Sequence, residues 1–412
     1  MRLFSQYKGL KRDNYILFFG RIVTNLGAMV RPMMTMILNK KLGMTASQTA
    51  LFLITTGIVF LPANLWGGQL ADKFNKKKLI IVCDIASVIL YIVSGFIPLS
   101  RFSLYVLLAG SLFQTLEGPA YKALVADITP ADKREKAFSL LYLGGNIGYI
   151  LSPTLGGLLF NNYLWLCFLI SGLSIAVSTV LIAVFVKDPG TSGEKENKAD
   201  ENQKEQKIGI AGIIRKSATL LIFIVAFSFY DGGYTQFGYL MPLDISNAFP
   251  ENGSVIYGTV TSVNCIIVVL FTPIITMLME KISLARKFST GTFVQMLSFV
   301  SFLLSYGFIP GYYISIALFT IGEILVTTSV GAFLSERVPA SYRGRIYGVT
   351  SFTSAFMSGI VEWNSGWIFD SLGSAYAWGF TIAMSMVATI TSFILIFVDR
   401  KEFPKAIRQK ED

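Results

Sequence analysis

Six ionisable residues of this chain stand inside long apolar runs: Arg21, Arg31, Glu117, Asp231, Glu323 and Glu362. A charge at the centre of a membrane helix costs about 2.5–3.5 kcal/mol, so each requires a partner or a task. Glu323, in Thr320-Ile-Gly322-Glu323, pairs an acid with a glycine. That suits a carboxyl that titrates toward a cavity, or one locked in an interhelical hydrogen bond. Asp231, in Phe229-Tyr230-Asp231-Gly232-Gly233-Tyr234, sets an acid among aromatics. Tyr230 and Tyr234 could line a cavity for an amphiphilic cation through charge and cation–π contact; a gating hinge at the glycine pair is the alternative. Arg21 and Glu117 share a depth, which allows a buried ion pair. Arg31, beside Pro32, could bind an anionic substrate group or pair with Glu362, and Glu117 and Glu362 are themselves candidates for the substrate cavity. Asn25 and Asn64 read as interhelical hydrogen-bonding residues, with Asn25 also a candidate for the substrate cavity. Asp84 and Lys122 fall near helix ends, where their side chains can reach the interface.

Other chemistries lack their residues. There is no His, which removes the usual general base, pH switch and metal ligand together. Cys83, Cys167 and Cys265 lie far apart in apolar runs and read as buried small hydrophobes rather than disulfide or zinc ligands. Neither a metal nor a cofactor is expected.

The elements that must position these residues are membrane helices. The chain is 53% hydrophobic and 15% charged, against about 25% charged in a soluble domain. Apolar windows of roughly 20 residues recur between short polar breaks. They predict twelve helices over 14–38, 48–70, 79–100, 103–125, 137–160, 162–186, 217–242, 256–279, 289–309, 311–332, 346–370 and 373–398. With the N-terminus inside, 29 of the 35 Lys and Arg fall on cytoplasmic segments. The positive-inside rule therefore puts both termini in the cytoplasm, and the net charge of +10 is a topology signal rather than a nucleic-acid footprint. No cleavable signal peptide is expected at the start. The mixed-charge stretch 187–216 reads as a solvated linker between a bundle over 1–186 and a second over 217–412.

An offset of 209 residues lays the halves over each other. Asp127-Ile-Thr-Pro130-Ala-Asp-Lys-Arg134 matches Glu336-Arg-Val-Pro339-Ala-Ser-Tyr-Arg343, and Gly157-Leu-Leu-Phe160 matches Gly366-Trp-Ile-Phe369. Repeats of six helices are an arrangement that alternating-access transporters use.

At Gly68-Gln-Leu-Ala-Asp72-Lys73-Phe-Asn-Lys76-Lys77-Lys78 the chain resembles the loop 2–3 signature of the major facilitator superfamily. Asn75 stands where that family has Gly, and the expectation is that it tolerates a left-handed turn there. Gly68 is expected to allow close helix packing, Asp72 to meet a helix N-terminus, and the lysines to face phospholipid headgroups. The resemblance implies a cytoplasmic gate built from Gly68, Asp72, Lys73, Lys77, Asp127, Arg134, Glu336 and Arg343. Gly144, Gly148, Ser152, Pro153, Gly156 and Gly157 in the fifth helix look like the family's antiporter motif, with Ser152 in one glycine place. Glycines four apart make a flat stripe for another helix, and Pro153 bends it. In the fourth helix Gln114 stands where the exporter pattern has an Arg, so any proton-coupling work of that Arg must be done elsewhere or not at all.

The resemblance implies an all-α membrane protein of two pseudo-symmetric six-helix bundles, a monomer in the bacterial cell membrane, moving a small-molecule substrate. The expected activity is export of amphiphilic or drug-like compounds against protons, with Glu323 or Asp231 as the proton carrier. A nutrient uptake symporter or facilitator of the same fold is the first alternative; a non-transporting membrane sensor or enzyme is a remote one.

Overall fold

A computed structural model describes residues 7–188 and 217–404. Among them there is no strand, and twelve helical passes follow one another. The first pass is broken: α1 (Arg12–Gly27) gives way to α2 (Val30–Met36), which ends in a π turn at Ile37–Lys41. Ser171 Oγ donates to the Gly27 carbonyl at 2.5 Å, satisfying an acceptor that the break would leave bare. Next come α3 (Ala46–Lys73), α4 (Lys76–Phe96), α5 (Arg101–Ile128), α6 (Arg134–Phe160) and α7 (Leu164–Phe185). The predicted linker falls outside the described residues apart from Lys187 and Asp188.

The seventh pass is also broken. α8 (Ala218–Tyr234) ends just after the Gly232-Gly233 pair, a 3-10 turn spans Thr235–Phe237, and α9 (Leu240–Ala248) resumes. α10 (Gly253–Leu278), α11 (Leu284–Leu304), α12 (Ile309–Arg337), α13 (Ala340–Leu372) and α14 (Ser374–Glu402) complete the chain. Only Gly373, with φ 92°, separates the last two, a backbone angle that favours glycine.

This is a membrane fold by its surface as well as its helices. Seven helical stretches among the described residues are long and apolar enough to cross a bilayer: α3, α4, α7, α8 with α9, α10, α12 and α14. The first pass is broken into pieces of 16 and 7 residues, each too short to cross on its own, and Glu117 and Glu362 interrupt the apolar runs of α5 and α13. Large apolar side chains point outward, as Leu65, Trp66, Phe96, Leu304 and Phe397 show. Hydroxyls point inward: Ser289 donates to the Ser392 carbonyl at 2.5 Å and Thr292 meets the Ser392 hydroxyl at 2.8 Å, lashing α11 to α14. Small residues and hydroxyls are what hold helices together where lipid offers no hydrophobic drive.

Internal contacts divide the chain into two compact units. One is Met1–Gly43 with Phe52–Asn202 and Ser254–Cys265; the other is Met44–Leu51 with Gln203–Gly253 and Ile266–Asp412. Each unit therefore includes a short segment from the other half of the sequence. In the first, Ser254 Oγ donates to the Gly157 carbonyl at 3.0 Å and Thr154 meets Ser262 at 2.7 Å, seating the start of α10 on the end of α6. In the second, the Asp370 carboxylate accepts from the Ala46 and Ser47 backbone amides, each at 2.8 Å, and caps the start of α3.

Candidate functional site

The second unit gathers three carboxyls around the break in its first pass. Glu323, half-buried midway along α12, accepts a hydrogen bond from the Tyr234 hydroxyl at 2.9 Å. Asp231, one α8 turn before Tyr234, accepts from Ser358 of α13 at 3.3 Å. Glu362, one α13 turn beyond Ser358, lies beside the Thr235 hydroxyl and close to Asp231. The glycines that follow Asp231 fix this register. A Cβ at Gly232 would stand 2.9 Å from a Val361 methyl, and one at Gly233 would stand 2.8 Å from Ser385 Oγ. α8 can therefore approach α13 and α14 only with glycine at these places, and the helix breaks immediately after them.

The surroundings are aromatic. Tyr234 stacks on Phe319 at 5.5 Å, and Phe319 on Phe237 at 5.2 Å. Tyr230 differs from its expected place. It is 2% exposed, packed among Phe227, Phe288 and Tyr234, so it belongs to the aromatic core and does not line an open cavity. Its hydroxyl and the Gln295 amide, both buried, have no protein hydrogen-bond partner.

In the first unit the glycine stripe of α6 packs directly on α1 and α2. A Cβ at Gly144 would stand 2.9 Å from the Phe18 carbonyl, one at Gly148 2.9 Å from the Asn25 Cβ, and one at Gly156 3.0 Å from the Met29 carbonyl. Ser152 and Pro153 are buried in the same helix, and Asn25 Nδ2 donates to the Gly145 carbonyl at 2.9 Å. The Arg21 guanidinium lies exposed beside Gly145 and makes no ion pair with Glu117. Glu117 has a different neighbour, the Asp84 carboxyl. Asp84 does not reach toward the interface as its sequence position implied: it is 4% exposed, accepting from Gln114 Nε2 at 2.8 Å and Thr179 Oγ1 at 2.7 Å. Arg31 is exposed on the first unit, whereas Glu362 belongs to the second.

The loop motif also differs in detail. Gly68 has open space around it. Its neighbour Gly67 makes the close approach, where a Cβ would stand 2.9 Å from the Leu116 carbonyl carbon. Asn75 has φ −61°, outside the left-handed region, and caps α4 by accepting from the Lys78 amide at 2.9 Å. Lys77 bends onto the end of α7, donating to the Ala183 and Val186 carbonyls at 2.9 and 2.7 Å rather than facing headgroups. Lys76 pairs with Asp127, while Asp72 and Lys73 are exposed. The 209-residue repeat places two equivalent arginines. Arg134 Nε donates to the Ala126 carbonyl at 3.3 Å and Arg343 Nη2 to the Ser335 carbonyl at 2.7 Å, each closing the end of the preceding helix. Glu336 accepts from Arg337 at 3.3 Å.

Sequence reasoning missed two buried acids. Asp244 lies in a segment read as an outer loop, yet α9 carries it inward, 0% exposed, to accept from Tyr312 at 2.7 Å and from Ser374. Asp399, read as tail, forms a two-point ion pair with Arg337 at 2.5 and 2.7 Å, both side chains buried.

Comparison with known proteins bears on the family and the fold. The family model described as Major Facilitator Superfamily matches residues 17–361. The chain is 24% identical over 360 residues to an uncharacterized MFS-type transporter of Bacillus subtilis, covering 86% of this chain and 85% of that one. It is also 24% identical to a Na(+), Li(+), K(+)/H(+) antiporter of Planococcus maritimus, covering 79% and 84%. A quinolone resistance protein of Staphylococcus aureus is 26% identical over 253 residues, 59% of this chain and 64% of the relative. A solved POT family transporter in complex with 5-aminolevulinic acid superposes with a TM-score of 0.76 at 16% identity, covering 95% and 96%.

Proposed function

The chain belongs to the major facilitator superfamily, and from that premise we propose that it is a proton-coupled exporter of amphiphilic, drug-like compounds working by alternating access. It is a membrane transporter rather than an enzyme. The observation that carries the finer reading is the Tyr234–Glu323 hydrogen bond at 2.9 Å, on the same unit as Asp231 and Glu362 and amid stacked aromatics.

An ionised Glu323 can only accept from the Tyr234 hydroxyl; a protonated Glu323 also has a proton of its own to donate. One proton therefore weakens, or turns round, a bond between α8 and α12 close to the break where α8 ends. That is a local change able to bias a two-state pass. Each elementary charge moved through the membrane potential is worth about 2.3 kcal/mol per 100 mV, enough to set direction without a cofactor. The antiporter and quinolone-resistance relatives support exchange and an organic substrate, and the aromatic setting of Glu323 favours an amphiphilic cation.

The test is ethidium accumulation in inverted membrane vesicles under an imposed pH gradient. Wild-type protein is expected to accumulate it, and Glu323→Gln to lose the proton-driven component while keeping equilibrium binding. Unchanged accumulation in Glu323→Gln would retire the assignment. Accumulation only in right-side-out vesicles would replace export with uptake.

A further inference from the structure

The buried acids of the first unit have no part in that scheme, and their geometry is unlike an ordinary structural pair. Asp84 on α4 and Glu117 on α5 are 4% and 7% exposed, and their carboxyls lie within hydrogen-bond reach of each other. Asp84 is supplied with donors from outside the pair: Gln114 Nε2 at 2.8 Å on one oxygen and Thr179 Oγ1 at 2.7 Å on the other. Glu117 Oε2 is buried and no donor reaches it. An ionised carboxylate is acceptor-only, so two of them cannot bond to each other; one must carry a proton. The donors on Asp84 make it the acceptor of the pair, which leaves Glu117 as the member holding the proton.

We propose that Asp84 and Glu117 form a proton-binding site in the first unit, holding one shared proton, separate from the Glu323 cluster of the second unit. The other titratable or charged groups near it are Arg21 on α1, Cys83 on α4 and Tyr121 on α5, and α7 contributes the Thr179 hydroxyl. When the shared proton leaves, the site gains a negative charge that Arg21 is placed to meet, and α1, α4 and α5 share the consequence. Gln114 occupies the place where an exporter pattern would put an Arg. A neutral amide there donates to Asp84 without adding a positive charge that would favour ionising both acids. The link from this site to transport rests on the proton-coupled reading above; the proton itself does not.

Infrared spectra of the purified full-length protein in detergent, recorded through a pH titration, read the protonated-carboxyl C=O stretch directly. One shared proton has a distinctive signature. Glu117→Gln puts an amide donor against Asp84, and Asp84→Asn puts one against Glu117, so each is expected to lose the same single-carboxyl intensity. The double variant is expected to lose no more than either alone. Intensity that survives in either single variant, or two separate losses that add in the double, would overturn the site. Should an amide variant not purify as folded protein, Gln114→Leu and Thr179→Val keep both acids but strip the donors from Asp84. The band is then expected to shift, and an unmoved band overturns the proposal. Loss of proton-driven flux in vesicles bears on the transport reading alone, so failure of one is distinguishable from failure of the other.

Discussion

At the scale of single residues, the acids of this chain divide by what donates to them. Asp399 is satisfied by the Arg337 guanidinium, which also lies over the Phe333 ring at 3.8 Å. It is fully buried, so its loss is a matter of stability. Asp399→Asn takes away the guanidinium's fully buried two-point partner and leaves it, as counter-charge, only the one-point contact with the more exposed Glu336 at 3.3 Å. The cost is therefore expected to approach the roughly 3–5 kcal/mol of a broken buried pair. Replacing both partners, Arg337→Met with Asp399→Leu, removes the orphan and is expected to restore most of the loss. Thermal unfolding in detergent checks this; a double variant no more stable than the single would mean that the cost is not the stranded charge. Glu323 contrasts with this pair, half-buried and accepting from the Tyr234 hydroxyl rather than from a buried cation, so Glu323→Gln is expected to spare stability and remove coupling. The sequence marked Glu323 and Asp231 because an acid within an apolar run is conspicuous. It hid Asp399 and Asp84 because each lies close enough to a helix end to pass for an interfacial charge, and only packing shows where such a side chain turns.

At the scale of helices, twelve passes were legible because a bilayer demands a long apolar run for each one. The breaks were not. α8 ends beyond the Gly232-Gly233 pair and α9 continues to Ala248, so an apolar run alone placed the pass end too early and left Asp244 in a loop. Glycine patterns were legible as patterns but not to the residue. Gly67 and Gly68 are adjacent, and which one faces α5 depends on a rotation of 100° per residue about the helix. The structure answers with Gly67, whose absent Cβ would meet the Leu116 backbone. Gly67→Ala is therefore expected to destabilise by about 1–3 kcal/mol through overpacking. Gly68→Ala, facing open space, is expected to be neutral or slightly stabilising from helix propensity. Unfolding midpoints of the two variants decide it, and equal effects would contradict the rotation assigned to α3. The same logic separates caps from turns. Asn75 looked like a glycine substitute, whereas it serves as an N-cap for α4.

At the scale of the whole chain, large apolar side chains fill the interior and also cover the outside, while many serine and threonine hydroxyls turn inward, a partition that suits a lipid surround. Orientation across the membrane is a separate matter, set by where the basic residues lie. By that rule Lys8 and Lys401 are expected on the cytoplasmic side and Lys40 and Arg101 on the other; all four are exposed. The native cysteines make this testable without removing them. Cys83, Cys167 and Cys265 are all buried, so the wild-type chain is expected to stay unlabelled by a membrane-impermeant maleimide. Against that silent background, Lys8→Cys and Lys401→Cys are expected to label in inverted vesicles and not in intact cells, and Lys40→Cys and Arg101→Cys the reverse. An even number of passes forces the two ends to agree with each other. Labelling of Lys8→Cys and Lys401→Cys from opposite sides would therefore remove one of the twelve passes, and labelling of both from outside would reverse the membrane orientation while leaving the fold intact.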